Sequence, residues 1–147
     1  MLTLQNVTDK NWRDFLRLSL HDDQLGYVAS NVATIAESKF EPHFQLRGIY
    51  SGDRPVGMLA YCHETEPEDL ELYWIFRLMI DKDHQRKGYA ESAMKLAIEQ
   101  IWQQGGKRIR TMHKPENIAA PALYAKLGFQ NIGLHDDGDT LLELRPS

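Results

Sequence analysis

Apolar and polar residues alternate from Leu2 to Val7, which predicts a half-buried strand at the start of the chain. Thr8-Asp9 then offers a cap for a helix carrying Trp12, Phe15, Leu16 and Leu18. A second helix is predicted after Asp22-Asp23, where Leu25, Val28, Ala29, Val32, Ala33 and Ala36 recur at helical spacing. Phe44 to Tyr50 and Pro55 to Cys62 read as strands joined by a hairpin turn at Ser51-Gly52-Asp53. Glu64 to Glu71, rich in carboxylates around Pro67, reads as an exposed connection. Leu72 to Ile80 is an almost unbroken apolar and aromatic run, as expected of a central strand covered on both faces. Gly88 to Gln104 carries Ala90, Ala93, Met94, Ala97, Ile98 and Ile101 on one helical face, and Gly105-Gly106 ends it. A short strand over Lys107 to Met112 follows, then a helix over Asn117 to Leu127 closed by Gly128. Two last strands flank the turn residues Asp136-Asp137-Gly138-Asp139. This order predicts a mixed α/β fold, and the absence of repeats or linkers predicts one domain over residues 1–147.

Composition narrows the class. Hydrophobic residues make up 42% and charged residues 26%, the balance of an ordinary globular chain, and no apolar run approaches the length of a bilayer span. No signal-peptide pattern opens the sequence, and the lone Cys62 has no partner for an internal disulfide, so a cytoplasmic location is expected. A formal net charge of −4 argues against nucleic acid as a partner, and nothing points to a membrane. The same charge means that any phosphate-bearing ligand must be met by a local device. The six histidines show no ligand spacing such as His-x-x-x-His, so no metal is implied.

Such a local device stands between the central strand and the long helix. Gln85-Arg86-Lys87-Gly88-Tyr89-Ala90 runs into a helix N-terminus, where unpaired amides and the positive end of the helix dipole favour a pyrophosphate. Gly88 removes a side chain where a ligand approaches the backbone, and Arg86 and Lys87 add charge. The loop lacks the Gly-Lys-Ser/Thr of a nucleotide-triphosphate loop and two of the three glycines of a dinucleotide fingerprint. A second segment is Asn117-Ile118-Ala119-Ala120-Pro121-Ala122-Leu123-Tyr124-Ala125-Lys126-Leu127-Gly128-Phe129. Its Asn117 and Tyr124 fall on one side of a slender, alanine-rich helix, with Pro121 tolerated in the opening turn.

Together the two segments resemble the GNAT acetyltransferase superfamily. Gln85 to Ala90 matches its acetyl-CoA loop, Gln/Arg-x-x-Gly-x-Gly/Ala, and Asn117 to Phe129 its second signature, with one helix and one strand between them. The resemblance implies a mixed, splayed central β-sheet flanked by helices, with acetyl-CoA in the opening. It implies that Leu78 and Ile80 pair with the pantetheine arm, that amides from Gln85, Arg86, Lys87, Gly88, Tyr89 and Ala90 hold the pyrophosphate, and that Asn117 contacts the pantetheine region. Tyr124 is the implied general acid, returning a proton to the departing thiolate. Polyamine acetyltransferases of this kind carry a glutamate on the central strand where this chain has Phe76. Glu71, Glu37 or a carboxylate acting through water remain open as the base. Cys62, in an apolar strand, reads as a packing residue.

Gln24-Leu25-Gly26-Tyr27-Val28-Ala29-Ser30-Asn31, together with Trp74-x-x-Arg77 before Leu78-Met79-Ile80-Asp81, resembles bacterial spermine/spermidine N-acetyltransferases. That resemblance implies a small-molecule amine as partner. A polyamine site needs carboxylates for its ammonium groups and aromatic walls for its methylenes. Tyr27, Tyr73 and Trp74 are the candidate walls, and Asp22, Asp23, Glu37 and the run Glu64, Glu66, Glu68, Asp69 and Glu71 the candidate carboxylates, with Tyr27, Trp74, Glu37 and Glu71 the substrate-binding residues expected. An acetyltransferase for another amine and a non-catalytic acetyl-CoA-binding module are the alternatives. Dimers through the sheet edges are common in the superfamily, which makes a homodimer the assembly to test.

Overall fold

The computed structural model describes residues 1–27 and 29–147, so Val28, counted above in the second helix, lies outside the described residues. Among the described residues, seven strands form one sheet: β1 (Leu2–Asn6), β2 (Gln45–Ser51), β3 (Arg54–Thr65), β4 (Glu68–Ile80), β5 (Arg108–His113), β6 (Gln130–Leu134) and β7 (Thr140–Leu144). Their order across the sheet is β1-β2-β3-β4-β5-β7-β6, antiparallel except for the parallel pair β4 and β5. The helices are α1 (Trp12–Leu16), α2 (Asn31–Phe40), α3 (Tyr89–Gln103) and α4 (Ala119–Lys126). This is the mixed, helix-flanked sheet expected from the element order.

Side-chain alternation along the strands builds a core on each face of the sheet. Tyr61, Tyr73, Ile75 and Ile109 face Ala93, Met94, Ala97 and Ile101 of α3. Met58, Ala60 and Met79 face Phe15 of α1 and Ile35 of α2. The apolar stripe read for α3 is the buried one. Among the described residues, no helix is long and apolar enough to cross a membrane.

The structure corrects two boundaries. The second helix starts at Asn31 rather than after Asp22-Asp23. Asp22–Gln24 makes only a single 3-10 turn, whereas the Ser30 hydroxyl accepts the Ala33 amide at 3.1 Å and caps α2. The segment from Glu64 to Glu71 is more ordered than an exposed connection. β3 and β4 pair out to Thr65↔Glu68, so the carboxylates sit at the tip of a long hairpin.

Gly57 shows how closely β3 and β4 are packed, since a Cβ there would fall inside contact distance of the Met79 carbonyl oxygen. Backbone cannot move aside as a side-chain end can. Gly57→Ala should lower the melting temperature by roughly 3 to 10 °C, the effect of about 1–3 kcal/mol of overpacking. An unchanged thermal unfolding curve would show that the strands relax there freely.

Candidate active site

The site begins where the sheet opens. β4 and β5 pair only over Leu72–Trp74 and Arg108–Arg110. One further contact follows, in which the Thr111 hydroxyl donates to the Ile75 carbonyl at 2.9 Å. Beyond that point Leu78, Met79 and Ile80 stay paired with Leu59, Met58 and Gly57 of β3 but have left β5. The far edge of β4 is therefore turned to an open cleft of about 1140 Å³.

The loop after β4 is held in shape by buried Asp81. Its carboxylate accepts the Ser19 amide at 2.9 Å and that of Asp83 at 3.4 Å. Arg86 (φ 64°) and Gly88 (φ 80°) both adopt the left-handed conformation. Residues of that kind curl a loop so that successive amides turn to one side and can hold an anion. Gly88 caps α3 without any side-chain hydrogen bond to the first turn, so those amides remain available. Glu91, in that first turn, is neutralised by Lys126 at 2.8 Å, and this hydrogen-bonded ion pair lowers its pKa.

Gln85, Arg86, Gly88, Tyr89 and Ala90 all line the cleft. The Gln85 side chain is committed to the protein, donating to Ile80 O at 2.9 Å and to Gln24 Oε1 at 2.9 Å. Lys87 faces away, into a neighbouring hollow of about 580 Å³ that also contains Arg54, His84 and Tyr89.

From the opposite wall come Asn117, Ala119, Ala120, Leu123 and Tyr124. The Asn117 carbonyl oxygen accepts the Ala120 amide at 3.2 Å, which fixes the start of α4 and leaves its NH₂ for other partners. Tyr124 is 8% exposed and lies between His113, stacked at 6.4 Å, and Phe129 at 5.6 Å. Its hydroxyl lies beside Thr111, the residue whose own hydroxyl donates to the Ile75 carbonyl. Tyr124 Oη thus sits where β5 parts from β4. Burial pushes its pKa above the ordinary phenol value, with the Thr111 hydroxyl working the other way. The hydroxyl keeps its proton throughout the neutral range.

Tyr27 is also in the cleft wall, and its hydroxyl donates to the Glu116 carbonyl at 3.3 Å, joining the two rims. The other candidates for the acceptor lie elsewhere. Glu37 is held by Arg77 through both carboxylate oxygens, at 3.1 and 3.2 Å. Glu71 pairs with Lys107 at 3.4 Å, toward the opposite end of β4. The Trp74 indole donates to Glu64 at 2.8 Å and carries Arg110 over its ring. None of the three lines the cleft. Phe76 is the extra residue of a bulge in β4, its ring tilted against Phe44 with centroids 4.5 Å apart. Asp23, His21 and Glu116 do line the cleft. His21 and Glu116 carry no motif or periodicity that would single them out, and only the fold brings them there.

These features can be set beside known proteins. The acetyltransferase (GNAT) family model matches residues 5–129. A curated relative from Bacillus subtilis subsp. natto, named probable spermine N(1)-acetyltransferase, is 29% identical over 133 residues, covering 88% of each chain. A crystal structure of an acetyltransferase from Thermus thermophilus superposes with a TM-score of 0.82 at 21% identity, over 99% of this chain and 97% of that one. The PaiA N-acetyltransferase of Thermoplasma acidophilum, solved in complex with coenzyme A, gives 0.76 at 13% identity over 99% of both chains. The chain belongs to the GNAT acetyltransferase family and is an N-acetyltransferase.

Proposed function

We propose that the enzyme transfers the acetyl group of acetyl-CoA to a primary amine of a small polyamine such as spermidine or spermine. The observation that carries this reading is the single cleft joining the amide-lined loop at Gln85–Ala90 to Tyr124, with Asp23, Glu116 and Tyr27 along its rims. The loop and the α3 N-terminus meet the pyrophosphate, while Leu78, Ile80 and Asn117 offer backbone and amide partners to the pantetheine arm. The amine attacks the thioester carbonyl as the free base, the C–S bond breaks as Tyr124 gives its proton to the departing thiolate, and the proton shed by the acylated nitrogen restores Tyr124 through solvent. A raised Tyr124 pKa suits that role, since the group must be protonated when the thiolate leaves. The relative named as a spermine acetyltransferase supports the choice of acceptor. So does the pairing of carboxylates for ammonium groups with an aromatic wall for methylenes.

The acceptor is tested by kcat/KM across spermidine, spermine, an aminoglycoside and a set of amino acids, followed as released thiol. Polyamines should give the highest values. Spermidine turnover at background would remove the polyamine reading. The carboxylates have a test of their own. Asp23→Asn combined with Glu116→Gln should raise KM for spermidine while changing kcat little, because ammonium contacts distant from the reacting amine bind ground and transition states alike. A fall in kcat at constant KM would instead give these groups a part in the chemistry.

A further inference from the structure

Far from the cleft, at the tip of the β3–β4 hairpin, three metal-binding side chains from different segments converge. His43 lies in the connection between α2 and β2, His63 near the end of β3, and Glu68 at the first position of β4. Their donor atoms all lie within 4.8 Å of one another. The two imidazole rings are 4.6 Å apart, and the edge of His63 packs against Tyr73 at 6.2 Å.

His63 has a defined tautomer. Its Nδ1 lies 2.9 Å from the Glu64 carbonyl, an atom that can only accept. Nδ1 therefore carries the proton, and Nε2 presents a lone pair. A ring N–H anchored on a backbone carbonyl is the usual support of a metal-bound histidine. Three nearby carboxylates are engaged elsewhere: Asp69 by Arg108 at 2.8 Å, Glu71 by Lys107 at 3.4 Å, and Glu64 by the Trp74 indole at 2.8 Å. Glu68 has no ion pair among the described residues and lies against the two imidazoles instead.

We infer that His43, His63 and Glu68 form a binding site for a divalent transition-metal ion such as Zn²⁺. Two imidazoles and a carboxylate suit a borderline ion and leave a fourth position for water. A tetrahedral ion requires donors about 3.4 Å apart, given bonds of about 2.0–2.1 Å. His43 and Glu68 are exposed and free to close that distance, while His63 is the fixed point. Glu68 stands ten positions along β4 from Leu78, roughly 33 Å of strand. The ion therefore has no part in acetyl transfer. It ties the α2–β2 connection to the hairpin tip.

The test uses chelator-treated full-length protein titrated with Zn²⁺ by calorimetry, with Co²⁺ absorption reporting the ligand set. One ion per chain and a melting temperature that rises with Zn²⁺ are expected, with no response to Mg²⁺. His43→Ala and Glu68→Gln should each remove stoichiometric binding while keeping the metal-free melting temperature, because both side chains are exposed. Acetyl transfer should be the same with and without Zn²⁺. Absence of stoichiometric binding to the wild-type chain would overturn the site. So would binding that survives both substitutions.

Discussion

Tyr124→Phe should lower kcat about 10²-fold or more while leaving coenzyme A affinity unchanged, the loss associated with removing a positioned general acid. The substitution keeps the ring between His113 and Phe129 and deletes only the hydroxyl. Thr111 still has the Ile75 carbonyl to donate to, so the stability cost is about 1 kcal/mol. A change in kcat without a change in binding is therefore a statement about chemistry rather than folding. The pH profile adds a second sign. Because burial raises the Tyr124 pKa, its protonated form persists to higher pH than in a free phenol. The kcat/KM for a polyamine should rise with pH as the amine deprotonates, with no decline from loss of the Tyr124 proton at pH values where a free phenol is still protonated. Equal turnover by the Phe variant would assign the proton to another donor.

Gly88→Trp should abolish coenzyme A binding without unfolding the protein. A Cβ at Gly88 meets nothing within 4 Å, so the fold has room for a side chain. That room belongs to the cleft, beside the first-turn amides of α3. An indole there occupies the space a pyrophosphate needs. The left-handed φ of 80° adds about 1 kcal/mol of strain for any residue other than glycine. Gly88→Ala separates the two effects by carrying the strain without the bulk, and should retain most of the affinity. Thermal unfolding gives the fold and calorimetry with coenzyme A gives the binding. Tight binding by the Trp variant would move the phosphate site away from this loop.

The legible parts of the molecule are those set by neighbours in sequence. Gly88 opening α3, the stripe from Ala90 to Ile101, and Tyr124 in α4 with Asn117 just ahead of its start are all local patterns, though α4 begins at Ala119 rather than at Asn117. The cleft itself follows from two such segments brought together by one crossover from β4 to β5. Side chains governed by distant partners were not legible. Glu37 is a free carboxylate on paper, yet Arg77, 40 residues away, holds both of its oxygens. Lys87 is adjacent to Arg86 in the motif, but the left-handed turn at Arg86 sends the two into different hollows. From sequence the second helix starts after Asp22-Asp23, but Asp22–Gln24 stops after one turn, and it is the hydroxyl of Ser30 that reaches an amide of a continuing helix. The histidine pair at positions 43 and 63 escapes any spacing rule because a hairpin and a loop, not one helix, assemble it.

A crystal structure with coenzyme A bound tests the central claim most directly, because it locates both ends of one molecule. The pyrophosphate should lie on the amides from Gln85 to Ala90, and the sulfur within hydrogen-bonding reach of the Tyr124 hydroxyl. A coenzyme lying outside the opening between β4 and β5, or a sulfur remote from Tyr124, would contradict it.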